Sequence, residues 1–68
     1  MVLHNNNMEL ALVTKTIDKA MFARINNDGS IYDYVVGVNY RINGDTVEWC
    51  WGHYNMTYEQ AMKFTQED

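Results

Sequence analysis

A chain of 68 residues with 47% apolar side chains, nine acidic against five basic groups and no proline holds one thin core, since a domain this small buries only about 60% of the surface its unfolded form exposes. Two domains and a large enzyme with a deep pocket are excluded. One cysteine permits neither an internal disulfide nor a cysteine-based zinc cluster, and the absence of any apolar run near the roughly 20 residues of a membrane span points to a reducing, cytoplasmic setting.

His4, Asn5, Asn6 and Asn7 form a polar run near the start, and residues 1–7 read as a disordered end. Met8 then stands where a native start could fall. Met8 to Ala11 suit a helix opened by Asn7, while Val13, Thr14, Thr16 and Ile17 are β-branched and suit a strand. Both conformations stay open for residues 8–19, as a short helix or as an extension of the first strand.

Two turn signals organise the middle. Asp28-Gly29 and Asn43-Gly44 fit two-residue hairpin turns, because Asn, Asp and Gly tolerate positive φ best. The first turn sets Ile25 against Tyr32, Ala23 against Tyr34, Met21 against Val36 and, on the other face, Arg24 against Asp33. The second sets Tyr40 against Val47, Val38 against Trp49 and Val36 against Trp51. A one-residue slip would invert every side chain, so the agreement predicts a three-stranded antiparallel meander over residues 20–26, 31–42 and 46–54.

Thr57-Tyr58-Glu59-Gln60 is a capping box, and Tyr58, Ala61, Met62 and Thr65 recur at helical spacing with Phe64 on the flank. The sequence therefore predicts a single α+β domain, a meander with a C-terminal helix packed on one face. That helix should cover Tyr34, Val36, Trp49 and Trp51, leaving Tyr32 and Tyr40 near the strand ends free of it. On the other face Phe22, Ile31, Val35, Gly37, Cys50 and Gly52 form an apolar strip. Either Leu10, Leu12 and Val13 fold back over this strip, or a partner docks there. Trp49-Cys50-Trp51 carries no lysine or proline and, as an edge, could join a second copy into a homodimer.

Catalytic constellations do not fit this geometry. Cys50 and His53 are an odd number apart on a strand and point to opposite faces. Asp33 and Glu48 share a face but lie about 20 Å apart at about 3.3 Å per residue, too far for paired acid and base work. The two histidines have no neighbouring carboxylate pattern that would make a metal site, and no glycine-rich phosphate loop is present. The expectation is a non-enzymatic protein without cofactor or metal.

Charge points to the partner. Residues 1–25 carry Lys15, Lys19 and Arg24 against Glu9 and Asp18, whereas the remainder carries Arg41 and Lys63 against seven acids. Too few cations are present to build the basic face of a nucleic-acid binder. The expected partner is a host protein or nucleoprotein complex, with no membrane and no direct nucleic-acid contact. Asp28, Asp33, Asp45, Glu48 and Glu59 would meet a basic surface, with Val35, Phe22 and Tyr40 supplying apolar contact.

Three strands followed by a helix beginning Thr57-Tyr58-Glu59-Gln60-Ala61 resemble, over residues 20–66, the general plan of AP2-like and arm-type DNA-binding domains of phage integrases. That resemblance implies an accessory DNA-binding domain and carries over no binding residues; in this sequence the cations open to such a role are Arg24, Arg41 and Lys19. Size, acidity and the lack of catalytic groups are also similar to the small inhibitors that phages and mobile elements direct against host defence complexes. This second likeness implies an anti-CRISPR-like protein in the host cytoplasm that occludes a nucleic-acid-binding surface.

Overall fold

A computed structural model describes residues 2–67. Its elements are β1 (Leu3–Asn5), β2 (Met8–Lys15), β3 (Lys19–Ile25), β4 (Ile31–Val38), β5 (Arg41–Asn43), β6 (Thr46–Glu48), β7 (Trp51–Met56) and α1 (Tyr58–Gln66). The strands form one mixed sheet in the order β5-β6-β1-β2-β3-β4-β7, antiparallel except where β6 runs parallel to β1. This corrects the predicted three-stranded meander. The α+β class and the C-terminal helix remain.

The first hairpin keeps its predicted faces over most of its length. Arg24 pairs with Asp33, Ala23 with Tyr34 and Met21 with Val36. Its turn is longer than two residues: the Asn26 N–H donates to the Ser30 carbonyl at 2.8 Å, and Gly29 adopts φ +88°. The extra residue is absorbed by a bulge, so Ile25 faces Ile31 rather than Tyr32.

The second hairpin differs more. Its turn lies at Gly44-Asp45, so Ile42 faces Val47 and Arg41 faces Glu48. The two long strands are also each broken in the middle. Asn39 takes φ +56° and donates its N–H to the Asp18 carbonyl at 2.6 Å, which ends β4; Trp49 and Cys50 separate β6 from β7. Asn tolerates this left-handed conformation better than most residues, so the break sits where the chain accepts it. The far half of the hairpin then turns away and pairs β6 with β1 through His4 and Thr46.

Leu3, Leu10, Ala20, Phe22 and Val47, from β1, β2, β3 and β6, form one buried cluster, with Met8, Tyr40, Ile42 and Trp49 packed around them. Trp49 thus lies with Phe22, not beneath the helix as expected, and Tyr40, expected free of the helix, packs on the same cluster. Phe22 and Trp49 meet at 5.7 Å between ring centroids. Of the two covers weighed for the apolar strip, the intramolecular one is observed through Leu10, whereas Leu12 and Val13 stay partly exposed.

Residues 8–15 form a strand rather than a helix, joined to β1 by a turn in which Asn6 has φ +54°. Residues 3–5, expected to be disordered, form β1, and the Leu3 side chain is buried between β2 and β6. β3 is buried on both sides, which explains its near-continuous run of Ala20, Met21, Phe22 and Ala23.

The helix forms as predicted at its start. Thr57 accepts from the Gln60 N–H, and the Gln60 side chain accepts from the Thr57 N–H. Ala61 and Thr65 are buried against the outer face of β3 and β4, where Met21, Val36, Tyr34, Met56, Met62 and Phe64 form a second core. Trp51, expected under the helix, is 61% exposed. At the far end the Lys19 ammonium donates to the carbonyls of Phe64 and Glu67 and lies 4.6 Å from the Phe64 ring centroid. Cations suit a helix C-terminus because its last carbonyls are unsatisfied.

Candidate protein-binding surface

The eight residues proposed from sequence as a binding set do not form one surface. Phe22 and Val35 are wholly buried, leaving no area for a partner to touch. Tyr40 packs on the inner core and donates its hydroxyl to the Thr16 carbonyl at 2.9 Å. Asp45 and Glu48 are exposed on the β5–β6 hairpin, where Asp45 lies 3.9 Å from His4. Asp28 and Glu59 are exposed in the β3–β4 turn and the first helical turn.

Asp33 is not a free acid. It accepts a two-pronged hydrogen bond from Arg24 at 2.7 and 2.6 Å and a third from the Asn55 N–H at 2.6 Å. Its side chain is only 8% exposed. The fork geometry matches guanidinium to carboxylate, and such charge-assisted pairs are stronger than neutral ones. Hydrogen bonding to Asp33 raises the Arg24 pKa above its ordinary value. The guanidinium also lies 4.6 Å from the Tyr32 ring centroid and 5.8 Å from that of Tyr54.

Asn55 explains why a groove opens beside this pair. It takes φ +59° within β7, and the register with β4 shifts between Tyr34 and Val36. Beyond Tyr34 no residue of β7 pairs with β4, so residues 31–33 have no strand neighbour on that side. The gap is a shallow groove of about 570 Å³ lined by Ile31, Tyr32, Asp33, Tyr34, Asn55, Met56 and Thr57. Tyr32 is 62% and Ile31 51% exposed, and Tyr58 stands edge-on to Tyr34 at 5.4 Å. Neither Asp28 nor Glu59 lines the groove, but Asp28 lies three residues before Ile31 and Glu59 two after Thr57, so chain connectivity keeps both close to its rim. Bonds from the Ser30 hydroxyl and Ser30 N–H hold the Asp28 pKa below its ordinary value.

No family model, curated protein or solved structure matches the chain. The chemistry must therefore be read from the side chains themselves. Cys50 is exposed and His53 packs 4.5 Å from the Phe64 ring, in contact with the helix rather than with the thiol. Among the described residues no three of His, Cys, Asp and Glu are gathered as a metal site would require, and no helix is long and apolar enough to cross a membrane.

Sequence reasoning did not find the groove. Ile31, Asn55 and Met56 carry it, and the one local signal is an Asn late in the last strand, a residue type that accepts the left-handed turn of a bulge. The candidate cations for DNA also move: Arg24 is held by Asp33 and Lys19 by the helix end, which leaves Arg41 exposed on β5.

Proposed function

We propose that this chain is a non-enzymatic module that binds a protein through the groove between β4 and the start of α1. The observation that carries the reading is the cluster of exposed Ile31, Tyr32 and Tyr58 around that groove. Aromatic side chains with an apolar body and a polar tip are enriched at protein interfaces, and an exposed apolar patch rimmed by polar groups marks such sites. In its most specific form the module is a mobile-element inhibitor of a host defence complex. Its exposed acids Asp28 and Glu59 near the groove would then face a basic nucleic-acid channel, with Asp45 and Glu48 lying on the far β5–β6 edge of the sheet.

Internal use of Arg24 and Lys19 supports a protein partner over DNA. Capture by the tagged chain from lysate of its source organism, with and without nuclease, tests the choice. A retained protein that survives nuclease agrees with the reading; loss of every retained molecule on nuclease treatment contradicts it. A second reading, a homodimer, is favoured by the edge position of β7 and its exposed Trp51. Light scattering that shows only monomer at high concentration removes it.

A further inference from the structure

We infer that the groove takes an extended segment of the partner bearing lysine or arginine, laid along the free edge of β4. The inference rests on the protein-binding reading and adds the chemistry of what is bound. Three observations converge on it.

The first is backbone geometry. β4 continues through residues 31–33 after β7 has stopped pairing at Met56, and the groove follows that stretch. A strand flank without a neighbour is the place where an extended peptide adds to a sheet. The length available, three residues at about 3.3 Å each, suits a short segment rather than a whole domain edge.

The second is the aromatic lining. Arg24 already rests on Tyr32, so the ring's affinity for a guanidinium is expressed within the fold, and the ring remains 62% exposed. Cations over aromatic faces contribute about 0.5–2 kcal/mol, more as water is excluded. The third is charge. The lining contains no lysine or arginine, and its one acid, Asp33, is matched by Arg24, while Asp28, three residues before Ile31, and Glu59, two after Thr57, are exposed and unmatched by any ion pair among the described residues. The helix N-terminus at Thr57 does not reverse this sign, because its capping box is filled and Glu59 sits in the first turn.

The test is NMR of the isotope-labelled full chain titrated with an acetylated, amidated hexapeptide of alternating lysine and valine. Counterparts have glutamate or glutamine in place of lysine. The expected result is amide shifts confined to residues 31–34 and 55–58, with affinity about tenfold lower for the glutamate peptide. Asp28→Asn with Glu59→Gln should weaken the lysine peptide, Tyr32→Phe should retain it and Tyr32→Ala should lose about tenfold. All these positions are exposed, and spectral dispersion verifies the fold of each variant. Equal binding of the glutamate peptide, shifts elsewhere, or no shift at millimolar peptide overturns the inference. If the lysine peptide fails while Ile31→Asp still abolishes capture of a nuclease-resistant protein, the protein-binding reading stands without it. If both fail, both fall.

Discussion

Gly37 and Gly52 face each other across β4 and β7, and the indole of Trp49 lies against both. A Cβ on Gly37 would stand 2.6 Å from Trp49 Cε3 and 3.0 Å from Trp49 Cβ, and one on Gly52 would stand 2.5 Å from Trp49 Nε1. The glycine pair leaves the space that the indole fills. Trp49 then donates its indole N–H to the Tyr54 hydroxyl at 3.2 Å, tying the break in the long hairpin to β7.

Gly37→Ala should therefore destabilise the fold by about 1–3 kcal/mol, because the clash reaches the root of the Trp49 side chain and the chain must shift. Gly52→Ala should cost less, since it meets the far ends of Trp49 and Tyr54. Urea unfolding followed by tryptophan fluorescence measures both. An unchanged midpoint for Gly37→Ala would contradict the placement of the indole.

Asp33→Ala should cost about 2–4 kcal/mol, because it strips Arg24 and the Asn55 N–H of their shared acceptor in a mostly buried place. Asp33→Asn keeps an oxygen for one of them and should cost less. Thermal unfolding of the two variants checks the order, and equal stability of Asp33→Ala and the parent chain would refute it.

Val35→Glu should unfold the chain, since Val35 has no exposed surface and an unpaired carboxylate there would be buried. Far-UV circular dichroism at neutral pH reads the outcome. A folded variant that has merely lost a partner would restore the docking face once read from the sequence.

The sequence was legible where contacts are local. The first hairpin's pairs from Met21 to Arg24 and the helix cap at Thr57 each depend on a few neighbouring residues, and both were readable. The parallel contact of His4 with Thr46 joins distant parts of the chain and leaves no local period. Asn39 is the decisive residue that was missed. Its left-handed turn sends Tyr40, Ile42, Val47 and Trp49 into the cluster around Phe22, while an unbroken strand would have placed Trp49 under the helix. Asp33 was assigned correctly to face Arg24, but the third bond from Asn55, which removes it from the binding set, depends on a bulge in β7.

Acid should loosen the first turn through Asp28. Its folded pKa lies below the ordinary value, so its contribution is present above the unfolded carboxylate pKa, near 3.9, and disappears as pH falls through the lower folded value. Carboxyl-carbon NMR titration should show Asp28 with a lowered midpoint that returns toward the ordinary value in Ser30→Ala. A midpoint unmoved by that substitution would show that the Ser30 hydroxyl is not the cause.

The most direct test of the groove as the binding surface is capture of a nuclease-resistant partner by the parent chain and by Ile31→Asp with Tyr32→Ala, side by side. Both residues are more than half exposed, so the variant should keep the parent's circular dichroism and melting profile. The account expects the captured protein to be lost with the variant and retained by a Leu12→Ala control on β2. Undiminished capture by the folded groove variant would place the binding surface elsewhere and contradict it.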